Sequence, residues 1–221
     1  SDGREVTFRP FLVKEQKVLV IAKEGEDQSR SLASIKQMIK AVTSYDENEW
    51  LDVEKLPMFD IEYLFIKIRA VSVGETVKLN LPCKDNDCNG SGEVTINLDE
   101  VQVTKSKGVE PKVMINDNLG VVLRYPDWGL MEQVNKMPAD QQPFEMLKQC
   151  ITEIFDEENV YDTDDVSKKE LNEFVDSLTF PQMEQLGAYF DDMPKVYMDV
   201  DFTCSCGKEQ SRTMEGLQSF F

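Results

Sequence analysis

The sequence predicts an α+β fold, and three observations carry that expectation. Apolar residues alternate at Val77, Leu79 and Leu81, again at Val94, Ile96 and Leu98, and again at Val196, Met198, Val200 and Phe202, the period-2 pattern of half-buried strands. Between the second and third of these runs, residues 127–194 carry apolar stripes at helical spacing. Two cysteines stand at the tip of each expected hairpin, Cys83 with Cys88 and Cys204 with Cys206, so two remote parts of the chain are expected to meet.

In chain order, Phe8–Phe11 leads into the apolar run Val18–Ala22, a buried strand or short helix that periodicity alone leaves open, and Gly25–Ser29 breaks it. From Ser29, Leu32, Ile35, Met38, Ile39 and Val42 fall at helical spacing. A second helix carries Ile61, Leu64, Phe65 and Ile68 on one face, and the two helices need each other to bury these residues. The first hairpin follows, its strands joined by the polar loop Cys83–Gly92. A charged linker spans Thr104–Lys112, and Val121, Leu123 and Tyr125 form a short strand stopped by Pro126. Within the helical region, Phe144, Leu147, Cys150, Ile151, Ile154 and Phe155 form one stripe. Leu171, Phe174, Val175 and Leu178 form another, opened by a capping box of Ser167 and Glu170. Pro181 opens a third helix through Met183, Leu186 and Phe190, closed at Pro194. The second hairpin then runs through Val196–Phe202 and returns over Lys208–Thr213. We expect one interlocked domain over residues 1–221, with subregions 1–75 (strand and helices), 76–126 (first hairpin and linker), 127–194 (helical insertion) and 195–221 (second hairpin and tail).

Composition narrows the function. Lysine plus arginine number 24 against 42 aspartate plus glutamate, a net charge of −18. The short basic pairs Lys105/Lys107 and Lys168/Lys169 are flanked by acids, so no nucleic-acid partner is expected. The acidic surface serves solubility, or forms a face that docks on a basic partner or mimics a polyanion. Histidine is absent, which removes the commonest general base and the Ser-His, Cys-His and His-metal arrangements. A carboxylate glycosidase needs one acid pair set apart, and none stands out. Neither an enzyme nor a small-molecule substrate is therefore expected. No apolar run approaches the roughly 20 residues that span a bilayer, and the polar start Ser1–Arg4 lacks a signal-peptide pattern. A soluble protein made in a cytoplasm, without a membrane partner, is the expectation.

Zinc takes four thiolates in a tetrahedron at about 2.3 Å, and a tight turn presents two of them. Cys83 and Cys88 enclose four residues, and Asn89, Gly90 and Gly92 permit such a turn; Cys204 and Cys206 enclose one, and Gly207 follows. One structural Zn2+ shared by Cys83, Cys88, Cys204 and Cys206, a zinc-ribbon-like element, is the expected arrangement. Free buried thiols, a disulfide, and iron in place of zinc are the alternatives. A closed four-thiolate shell has no open position, so its ion stabilises and does not catalyse. Cys150 lies on an apolar stripe and is expected to pack in the core. Asp162, Asp164, Asp165 and Glu173 invite comparison with a calcium loop, but Val166 and Ser167 break that pattern and a capped helix start explains the acids better. Leu217, Phe220 and Phe221 either pack back onto their own domain or form a docking tail for a neighbouring subunit.

Phe8–Phe11 with Lys14–Glu26, the segment Leu56–Ala70, and Phe190–Lys195 through Cys204–Gly207 to Glu215–Phe221 together resemble a myophage family, the T-even-type baseplate proteins related to the hub subunit from gene 26 of phage T4. The resemblance spans nearly the whole chain. It implies a non-enzymatic structural or assembly subunit of a contractile-tail baseplate, in its hub or wedge region, partnered by other phage baseplate proteins. It also implies assembly in the host cytoplasm, a place in the virion, and metal ligation by Cys83, Cys88, Cys204 and Cys206. The rival readings are a transient assembly chaperone that leaves before the virion matures, a carboxylate-based hub hydrolase, and a zinc-ribbon regulator of transcription acting through protein contacts alone.

Overall fold

The computed structural model describes residues 5–17, 28–43, 51–85, 87–104 and 110–220. In chain order its main elements are α1 (Gln28–Thr43), α2 (Met58–Val73), β1 (Thr76–Pro82), β2 (Ser91–Asn97), β3 (Gln102–Val103), β4 (Lys112–Met114), β5 (Gly120–Leu123), α3 (Trp128–Val134), α4 (Gln142–Cys150), β6 (Ile151–Phe155), β7 (Val160–Asp162), α5 (Lys168–Asp176), α6 (Phe180–Asp191), β8 (Val196–Thr203) and β9 (Glu209–Glu215). Helices and antiparallel sheets are mixed, as an α+β fold requires. The run Val18–Ala22, the pair Lys105/Lys107 and the terminal Phe221 lie outside the described residues. The backbone divides into two compact units, Ser1–Thr104 with Lys195–Phe221, and Lys105–Pro194.

The first unit holds both hairpins. In β1 and β2 the pairs Val77/Ile96 and Leu79/Val94 face each other, so the alternating apolar residues share one face. Strands β3, β8 and β9 form a second sheet, in which Val200 pairs with Arg212 and Phe202 with Gln210. Helix α2 packs against α1, β3, β8 and the C-terminal 3-10 turn Leu217–Phe220. Covered from several sides, it buries Phe59, Ile61, Phe65, Ile66, Ile68 and Ala70, a set that runs round the helix. The single face expected from Ile61, Leu64, Phe65 and Ile68 is thus widened: Ile66 is fully buried and Leu64 only partly.

The second unit corrects the expectation of a purely helical insertion. It contains a four-stranded antiparallel sheet in the order β4-β5-β6-β7. The stripe from Phe144 to Phe155 is two elements, because α4 ends at Cys150 and Ile151 turns to extended backbone (φ −73°, ψ 121°). Strand β6 then pairs with β5, placing Ile154 opposite Val121 and Ile151 opposite Leu123. β-Branched residues at 151, 152 and 154 suit a strand. Val113, Val121, Leu123 and Ile151 from the sheet meet Leu147, Val175, Leu186 and Tyr189 from α4, α5 and α6 in one core. Helix α5 has the expected capping box: Glu170 N donates to Ser167 Oγ at 3.3 Å, and Ser167 N donates to Glu170 Oε2 at 3.0 Å. Thr179 and Gln182 cap α6 in the same reciprocal way, with Pro181 in its first turn.

Candidate metal centre

Each cysteine pair sits where a hairpin turns. Cys83 follows the last residue of β1, and its N–H donates to Gly90 O at 2.9 Å, closing the first turn; Cys88 N donates to Asp85 O at 3.0 Å inside it. In the second turn Cys204 N donates to Lys208 O at 3.0 Å and Gly207 N to Cys204 O at 2.8 Å. Gly207 has φ +84°, a left-handed conformation that glycine adopts without strain. The turns are joined directly, Ser205 N donating to Ser91 O at 3.0 Å. Gly90 permits this approach: a Cβ there would lie 2.4 Å from Ser205 Oγ and 3.1 and 3.2 Å from the sulfurs of Cys88 and Cys204.

The consequence is that the four sulfurs of Cys83, Cys88, Cys204 and Cys206 all lie within 4.8 Å of one another. Among the described residues this is the one such gathering of cysteine, aspartate and glutamate ligand atoms. Cys88 Sγ and Cys204 Sγ are 3.8 Å apart. A tetrahedron of thiolates about 2.3 Å from a central ion has edges of about 3.8 Å, so the separation suits a shared ion. Cys204 is 2% exposed, Cys83 and Cys88 are half-buried, and Cys206 faces solvent.

Charge at the cluster is divided unevenly. The Gly90 amide donates to Cys88 Sγ at 3.3 Å and favours its thiolate, but the Cys206, Cys83 and Cys204 thiols together with burial carry the Cys88 thiol up to about 12. Cys204 moves the other way, to about 6, chiefly because the Cys206 backbone N–H stabilises its thiolate against the cost of burial. Cys88 and Cys204 thus move in opposite directions, as neighbouring thiols do when one thiolate suppresses the next. A soft divalent cation removes that conflict.

A surrounding set of polar groups, invisible to the cysteine spacing, holds the first turn to the second hairpin. Gln210 on β9 donates from Nε2 to Cys83 Sγ at 2.7 Å, and its Oε1 accepts from Lys84 N at 2.9 Å. Lys84 Nζ donates to Ser211 O at 2.5 Å. The Lys208 ammonium pairs with Asp85 and holds that carboxyl below its ordinary range. The register of β8 with β9, which puts Gln210 opposite Phe202 beside the turn, is the signal that could have revealed these partners.

The remaining candidates are structural in their surroundings. Cys150 is fully buried among Leu130 and Val134, and burial pushes its thiol up to about 12. Asp162 caps its own turn, accepting from Asp164 N at Oδ1 and from Asp165 N at its carbonyl. Leu217 and Phe220 are buried within their own chain, and Leu217 N donates to Glu62 Oε1 at 3.3 Å.

A family model described as T4 bacteriophage base plate protein matches residues 1–221, the whole chain. The chain belongs to this family. No curated protein and no solved structure matches it. Membership implies a structural role in the phage baseplate, a location in the virion tail and association with other phage structural proteins. Among the described residues no helix is long and apolar enough to cross a membrane.

Proposed function

We propose that this chain is a structural or assembly subunit of a contractile-tail baseplate, in its hub or wedge region, that works through protein contacts on a frame fixed by one Zn2+. The observation that carries the baseplate reading is the family match over residues 1–221. The convergence of four sulfurs within 4.8 Å supports the metal. Cys83, Cys88, Cys204 and Cys206 would hold the ion as a closed shell, which offers structural cross-linking and leaves no position for a substrate. The all-sulfur donor set favours zinc over hard cations such as Mg2+ and Ca2+. A non-enzymatic role agrees with a chain that lacks histidine altogether. Partners are other baseplate proteins, and a net charge of −18 speaks against nucleic acid.

Deleting the gene and imaging the particles tests the baseplate role: tails without organised baseplates are expected, and normal infectious tails would refute it. Mass spectrometry of purified virions separates a permanent part from one that departs during assembly. Elemental analysis of freshly reduced protein should give about one zinc per chain, as a four-thiolate site requires.

A further inference from the structure

The sheet of the second unit ends at β7, and we propose that this edge is a docking strand for an extended segment of a partner protein that alternates apolar residues with lysine or arginine. The proposal deepens the reading above, resting on its claim that the chain acts through protein contacts.

The backbone of β7 leaves hydrogen-bonding groups open. Asp156 N donates to Asn159 O at 2.9 Å and Thr163 N to Thr152 O at 2.9 Å. Between these bonded pairs the antiparallel ladder alternates, so Tyr161 directs its N–H and C=O toward Ile154. Val160 and Asp162 therefore turn theirs outward. Asp162 O accepts from Asp165 N at 3.1 Å. Among the described residues nothing takes Val160 N, Val160 O or Asp162 N, and these are the groups an added strand would engage.

Side chains follow the same logic. Val113, Val121, Ile154 and Tyr161 form one row across the core face of the sheet. Exposure along it is 9% at Val113, 0% at Val121 and 49% at Tyr161. On the opposite face Val160, paired with Phe155, is 66% exposed. Apolar side chains thus reach the edge on both faces.

Charge chooses the occupant. From Glu153 to Asp165 the sequence carries seven carboxylates and no lysine or arginine. Pairing β7 with β7 of a second copy would set these acids against one another, a standard guard against self-association through edges. A strand bearing cations gains from the same field, with its apolar residues continuing the rows that end at Tyr161 and Val160.

The test titrates the full chain with a synthetic peptide alternating valine with lysine, and follows amide signals by NMR. Saturable binding with shifted Val160 and Asp162 amides is expected, and a glutamate version of the peptide should not bind. Val160→Pro removes an outward N–H without breaking a ladder bond. It should weaken binding about fivefold or more, the scale of one lost hydrogen bond. Equal affinity for Val160→Pro, or no response at Val160 and Asp162, overturns the proposal in favour of diffuse charge attraction. Should Val160→Pro fail to fold, the exposed pair Asp164→Lys with Asp165→Lys serves instead, and unchanged affinity there is equally fatal. Self-association abolished by either variant would assign the edge to a second copy and overturn the proposal. Complementation of the gene deletion separates the two readings. If wild type restores tail assembly and folded Val160→Pro restores it equally, the edge proposal fails and the baseplate reading stands. If the deletion has no effect on assembly, the baseplate reading fails and the peptide titration alone decides the edge.

Discussion

Both units bury an apolar core, but one is closed by local contacts and the other by remote ones. Lys105–Pro194 is one continuous stretch whose sheet and helices enclose a core of Val113, Val121, Leu123, Leu147, Ile151, Val175, Leu186 and Tyr189. Its helix starts are fixed locally, by Ser167 with Glu170 and by Thr179 with Gln182. The other unit is assembled from both halves of the chain, and its decisive junctions are remote: Ser205 with Ser91, Gln210 with Cys83 and Lys84, and Cys204 beside Cys88. Local signals and an apolar core suffice where the chain is contiguous. Where it is not, closing a long loop costs entropy before any contact is gained, and the metal cross-link proposed above would offset that cost.

The largest effect is expected from removing the sulfurs. Cys83→Ser with Cys204→Ser should abolish metal binding and cost several kcal/mol, given that structural zinc binds model peptides with about 10–16 kcal/mol. Hydrogen exchange should show protection lost in β1, β2, β8 and β9 and kept in β5 and β6. Uniform loss across both units would remove the contrast. The reciprocal substitution is Leu186→Ala, at a fully buried position of the second core. It should cost about 2–5 kcal/mol by transfer and cavity terms, read as a lowered Tm, with metal content unchanged.

Smaller effects are expected from single substitutions within the first unit. Gln210→Ala removes the donor to Cys83 Sγ and the acceptor for Lys84 N. Metal affinity should fall about 10–100-fold, as for other groups that orient metal ligands, measured by competition with a chromophoric chelator. The least effect is expected from Glu62→Gln. Burial raises the Glu62 pKa, and the Leu217 amide offsets only part of that rise. Between the ordinary value of 4.5 and the raised value the folded chain binds more proton than the unfolded chain, so this group's contribution is most favourable below 4.5 and declines as pH rises through the raised value. Glu62→Gln should raise Tm modestly at pH 7 and leave it unchanged near pH 3. A lowered Tm at pH 7 would show that the Leu217 contact outweighs the cost of burial.

Much of this was legible in sequence because the relevant signals are short-ranged. Alternation at Val77–Leu81 and Val196–Phe202 gives strands, Ser167 with Glu170 gives a capped helix, and two cysteine pairs at turns point to one another. The strand β6 was not legible. Its buried ends, Ile151 and Phe155, are four residues apart, a spacing that fits a helix face and one side of a strand equally. What decides for the strand is a partner, β5, about 30 residues earlier in the chain. Gln210 was hidden for a related reason: its role exists only once the register of β8 with β9 places it beside Cys83. Ile66 escapes periodicity because α2 is covered on more than one side, which erases the amphipathic contrast that a helical stripe shows.

The separation of the two cysteine turns also has a meaning in time. Cys88 and Cys204 stand 116 positions apart. At about 5–20 residues per second, synthesis leaves the first pair of thiols waiting roughly 6 to 23 seconds for the second. During that interval the contiguous insertion is being synthesised, and the four-sulfur cluster cannot yet exist. A ribosome that stalls anywhere within the insertion releases a chain with half a site, whose two thiols remain open to oxidants and stray soft ions. The cluster thus forms only in chains whose synthesis has passed Cys206.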